Sequence, residues 1–155
     1  LMLSGKCNSI EEGMKLSEKK LASGECFEKF LALVEMQGGD SGLIKSPENY
    51  PKAKLSDAVI AESDGYIAEL DALTFGLAAV NLGCGRKTVE DKIDYSSAIL
   101  LNKKIGDKLS AGETICSILG ETRQQVESTK AMLLKGIKIS KDKPEIKGRI
   151  IEVIN

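Results

Sequence analysis

Residues 81–94 read NLGCGRKTVEDKID. Two glycines, Gly83 and Gly85, flank Cys84, and two cations, Arg86 and Lys87, follow them. Open backbone N–H groups beside positive charge are the makings of an anion site. A dinucleotide fingerprint, however, needs Gly-x-Gly-x-x-Gly between a strand and a following helix, so that the helix N-terminus faces the phosphates. Here the glycines follow a helical pattern and the third glycine is missing. The Gly-x4-Gly-Lys-Ser/Thr pattern is absent too. A helix C-terminus presents the negative end of its dipole and repels phosphate. The stretch therefore reads first as a cap, with Gly83 or Gly85 left-handed and Arg86 set against the exposed carbonyls. The functional alternative is an anion held by Arg86 and Lys87.

Other reactive residues are sparse in pattern. There is no histidine, which removes the commonest general base and the commonest neutral metal ligand together. The four cysteines, Cys7, Cys26, Cys84 and Cys116, form no Cys-x-x-Cys pair and read as free thiols in a reducing compartment. Without histidine to activate Cys84 or Cys116, a thiolate nucleophile is disfavoured. Glu90, Asp91 and Asp94 lie close together, but a charged, exposed turn does not split two carboxyl pKa values as acid–base work requires; solvated charge is the expectation. Residues 104–115, KIGDKLSAGETI, bracket a short strand with two glycine turns. This phrasing resembles biotinyl and lipoyl carrier domains, whose modified lysine sits at a hairpin tip. Thr129-Lys130-Ala131-Met132 comes nearest to such a lysine motif but lies inside a helical pattern. The shared phrase thus reports sheet geometry, and a carrier-type binding module is the alternative to an enzyme part.

The elements that would position these residues follow from spacing. Ser9-Ile10-Glu11-Glu12 fits a capping box opening a helix over residues 9–23, with Gly24 as its stop. Phe27, Phe30, Leu31 and Val34 form one apolar stripe of a second helix ended by Gly38-Gly39. Residues 38–55, with Pro47 and Pro51, read as a linker loop. Ala58–Ala61 and Tyr66–Leu70 around Ser63-Asp64-Gly65 read as a β-hairpin. Asp71 caps a helix to about Leu82, with Leu73, Leu77 and Val80 on one face and Gly76, Ala78 and Ala79 on another, where small size allows close approach to a sheet. Strands are expected at 96–101, around Leu109, at 114–119 and at 148–154, with a helix over 122–138. From residue 56 the order is β-β-α-β-β-α-β. Strands do not alternate regularly with crossover helices, so a doubly wound sheet is disfavoured. The fold class is α+β: an N-terminal helical segment, then a hammerhead or barrel-sandwich-like domain with a bent, mostly antiparallel sheet.

Composition bounds the partners. The chain has 155 residues, 42% of them apolar, with 22 Lys+Arg against 23 Asp+Glu. A packed core is expected, without overall attraction to nucleic acid or an anionic membrane. No run approaches the roughly 18 apolar residues that span a bilayer, and no signal peptide is evident; a cytoplasmic protein is expected. Because the first residue is Leu1 rather than methionine, the chain reads as a piece of something longer.

In order along the chain stand Gly24-x5-Phe30, Gln37-Gly38-Gly39-Asp40, Gly65-Tyr66-Ile67, Gly76-x-Ala78-x3-Leu82-Gly83-x-Gly85-Arg86, Asp91-x-Ile93-Asp94, Lys103-Lys104-Ile105-Gly106-Asp107 and Gly112-Glu113. The string resembles the C-terminal third of the pyrimidine-nucleoside phosphorylases, the group that includes thymidine phosphorylase. Cys84 and Ala98 depart from it, standing where the family usually has alanine and often has glycine. The resemblance implies an enzyme that cleaves a pyrimidine nucleoside with inorganic phosphate, giving free base and pentose 1-phosphate. It implies that the phosphate stretch and the base-reading set lie upstream, so no catalytic residue is carried over to this chain, and no cofactor or metal is expected in it. It also implies residues 1–40 as the helical tail of a phosphate-binding domain, 41–55 as linker and 56–155 as the separate C-terminal α/β domain. The whole enzyme would be a homodimer through a helical domain this chain lacks. The chain alone would be a monomer, or weakly self-associating through the Phe27 stripe.

Overall fold

The computed structural model describes residues 1–146 together with Gly148 and Glu152. The chain divides after Tyr50 into two units. In the first, α1 spans Ile10–Ala22 and α2 spans Glu25–Met36. Ser9 caps α1, its hydroxyl accepting the Glu12 N–H at 3.1 Å, while the Glu12 carboxylate reaches back to the Asn8 N–H at 2.9 Å. The reciprocal cap is therefore present, displaced by one residue at its second bond. Of the expected α2 stripe, Leu31 is buried, whereas Phe27 and Phe30 remain 45% and 46% exposed. The expected linker is not structureless. Asp40 caps a short helix, α3 (Ser41–Lys45), by accepting the Gly42 N–H at 2.8 Å, and Pro47–Asn49 forms a 3-10 turn.

The second unit begins at Pro51. Its elements are β1 (Leu55–Ile60), β2 (Gly65–Leu70), α4 (Ala72–Leu82), β3 (Ala98–Leu101), β4 (Lys108–Leu109), β5 (Thr114–Gly120), α5 (Arg123–Lys135) and β6 (Ile137–Ser140). The α+β class holds, but the described order is β-β-α-β-β-β-α-β, with the short β4 adding a strand between the helices and the last described strand at Ile137–Ser140. Every strand pairing among the described residues is antiparallel. The sheet itself is two small sheets, ordered β1-β5-β3 and β4-β2-β6.

Two expectations are corrected. β1 and β2 are strands but not a hairpin: β1 pairs with β5, Val59 opposite Cys116, while β2 pairs with β4 and β6. The turn between them is real, but the groups around it bond elsewhere. Ala61 N–H donates to the Glu113 carbonyl at 2.8 Å, and Asp64 accepts the Ala111 N–H at 2.8 Å. The chain crosses from one sheet to the other here, and Val59 and Ile67 are buried in one core from separate sheets. Gly65 serves more than the turn. A Cβ there would stand 2.5 Å from the Ser140 carbonyl oxygen, so its absence lets β6 lie close. The helix expected to residue 138 stops at Lys135, because Gly136 ends it and Ile137 pairs with Leu70 as the start of β6. On α4, Ala78 and Leu82 are fully buried while Leu73 and Leu77 are 70% and 54% exposed. The close approach expected of the small residues is made by Ala78, with Ala79 partly buried and Gly76 exposed. The strand expected over 148–154 falls on residues outside those described, Gly148 and Glu152 apart.

The core joins Val59, Ile67, Ala78, Leu82, Leu109, Ile118, Val126 and Leu133, so both sheets and both helices contribute to it. This shared burial fixes where α4 ends, and hence where the glycine stretch lies.

Candidate functional site

α4 is held at both ends. At its start the Asp71 carboxylate accepts the Thr74 N–H at 2.9 Å and also the Thr74 hydroxyl. At its end Gly83 takes φ +108°, the left-handed region that favours glycine. Its N–H donates to the Val80 carbonyl at 3.1 Å, and the Cys84 N–H donates to the Ala79 carbonyl at 3.0 Å. These two bonds make a Schellman cap. Gly83 is the capping glycine; Gly85 is not among the residues with positive φ.

Past the cap, the loop is built around two carboxylates. Asp91 accepts the N–H groups of Lys87 and Thr88 at 2.8 and 2.9 Å, and the Thr88 hydroxyl at 3.0 Å. The Thr88 amide first, then the Lys87 amide, hold its carboxyl below the ordinary carboxylate range. An anion from this chain thus occupies the N–H groups beside Arg86 that an external anion would use. Asp94 accepts the Ser96 N–H at 2.9 Å, the Ser96 hydroxyl at 2.7 Å and the Ser97 hydroxyl, while its own N–H donates to the Gly83 carbonyl at 2.9 Å. The Ser97 and Ser96 hydroxyls bring its carboxyl down to about 2. The acidic run expected to be solvated charge therefore includes two structural acceptors. Asp94-x-Ser96-Ser97 was the readable signal, since an aspartate commonly bonds the backbone two residues on.

Around these, a cleft of about 290 Å³ is lined by residues including Asn81, Gly83, Gly85, Lys87, Asp91 and Gln125. The Lys87 ammonium donates to Asn81 Oδ1 at 3.1 Å. Arg86 is exposed and forms no ion pair or side-chain hydrogen bond among the described residues. All four candidate residues share one loop, with the cations outside and the glycines partly covered.

The remaining chemistry is quiet. The Cys84 thiol donates to the Ser97 carbonyl at 3.2 Å, and burial, then the Asp94 charge, pushes it up; burial likewise raises Cys116. Both favour the thiol over the nucleophilic thiolate. Among the described residues no group of three or more Cys, Asp or Glu could hold a metal ion. No buried side-chain N or O atom among them lacks a hydrogen-bond partner. Lys130, the nearest match to a carrier lysine, lies within α5, and Asp57 of β1 accepts from it at 2.9 and 3.0 Å. It is not at a hairpin tip. Among the described residues no helix is long and apolar enough to cross a membrane.

Comparison with known proteins follows the same lines. The family model for the pyrimidine nucleoside phosphorylase C-terminal domain matches residues 66–140, which run from β2 to β6 and include the glycine loop. The pyrimidine-nucleoside phosphorylase of Geobacillus stearothermophilus is 36% identical over 138 residues, covering 89% of this chain and 32% of the relative. Those of Staphylococcus haemolyticus and Staphylococcus aureus are 37% and 38% identical, each covering 90% of this chain and 32% of the relative. The chain spans about a third of the length of the relatives it matches.

Proposed function

This chain belongs, through residues 66–140, to the pyrimidine nucleoside phosphorylase C-terminal domain family, and on that premise we propose that it is the C-terminal part of an enzyme cleaving pyrimidine nucleosides with inorganic phosphate. The products are free base and pentose 1-phosphate. The match across some 90% of this chain but 32% of each relative carries the reading. In this proposal residues 1–40 are the tail of the phosphate-binding domain, 41–55 the linker and 56–155 the C-terminal domain that buttresses the phosphate-binding lobe.

The reaction needs an anion held beside C1′, stabilisation of positive charge developing on the sugar, and donors to the departing base. The glycine loop is poorly suited to supply the first. It follows a helix C-terminus, and Asp91 already accepts its amides. We therefore read Gly83, Gly85, Arg86 and Lys87 as a structural turn rather than an anion site, and assign catalysis to the rest of the enzyme. The enzyme is proposed to be a cytoplasmic homodimer; its four thiols here are free, as a reducing compartment would keep them.

Phosphorolysis by the purified 155-residue chain tests this. With uridine or thymidine and phosphate, we expect no free base by chromatography. Co-expression with the upstream two-thirds of such an enzyme is expected to restore base release. Release by the chain alone would place catalytic groups within it and overturn the assignment. Release in neither arm would count against the phosphorylase reading itself.

A further inference from the structure

We draw no further inference here: the strongest candidate, the apolar groove of about 550 Å³ along α1 lined by Leu3, Ile10, Met14 and Leu21, is an unpartnered helix face, and nothing in the structure shows what covers it.

Discussion

Asp91 and Asp94 stand three positions apart and do parallel work: each gathers N–H and hydroxyl donors from the loop that follows α4. The loop's shape thus depends on their charge. Asp94's folded pKa lies at about 2, below the ordinary 3.8, so its contribution to stability is fully present above about pH 4. It is lost as pH falls toward 2. Asp94→Asn is expected to destabilise by about 1 kcal/mol at neutral pH, a modest figure because the loop is partly solvent-screened. Denaturant titrations of both proteins from pH 6 to 2 should show the gap closing below pH 4; a gap constant across that window would remove the charge argument. At the cap, Gly83→Ala is expected to cost about 1–2 kcal/mol from its left-handed φ, since space is not the obstacle. An added Cβ would meet Asp94 Cβ at 3.5 Å, an ordinary contact. Gly85→Ala is the control: without positive φ it meets chiefly Val80 Cγ2, at 3.0 Å. It should cost less in the same thermal or denaturant melt.

α4 shows how an element is oriented by size rather than by hydrophobicity alone. Leu73 and Leu77 lie outward while Ala78 is fully buried one turn before Leu82, because a small side chain brings the helix axis nearer to the sheets and α5. Gly76 does not share that role. It is exposed, and a Cβ built there has nothing within 4 Å. Gly76→Ala should therefore stabilise by about 0.5–1 kcal/mol, through reduced backbone freedom in the unfolded chain and better helix propensity. A raised midpoint in urea with unchanged slope checks this. At α5, the Thr122 hydroxyl accepts the Gln125 N–H at 3.3 Å, and Lys130 joins the helix to β1 through Asp57. Both partners of that pair are more than a third exposed, so it orients the helix more than it stabilises the fold.

The two units differ in what they bury. In Leu1–Tyr50 the buried hydrophobic side chain is Leu31, whereas the unit from Pro51 holds a core drawn from both sheets and both of its helices. Burial of a single leucine returns about 2 kcal/mol, too little to offset the entropy of ordering some fifty residues. Residues 51–155 expressed alone are therefore expected to melt cooperatively by circular dichroism. Residues 1–50 alone should show only weak, broadly melting helicity. A sharp transition in the short piece would contradict this. The difference accords with the proposed role, in which the first residues complete a larger phosphate-binding body and the remainder folds as its own domain.

Much of this was legible along the chain. The caps at Ser9 and Asp71 are local devices whose bonds close within a turn or so of helix, so residue type and spacing are enough to find them. A glycine cap after α4 was equally legible, but whether Gly83 or Gly85 makes it is decided by the backbone. The ordered glycine motifs likewise pointed to the family before any geometry was known. Strand partners were not legible. β1 and β2 carry hairpin chemistry between them, yet each pairs with distant strands, because both sheets must bury Val59, Ile67 and Ile118 against the same helices. Nor could spacing reveal that Asp91 fills the amides of the glycine loop. That contact depends on how the chain turns after α4, and the turn is set by the cap at Gly83 together with the Asp94 and Ser97 contacts beyond it.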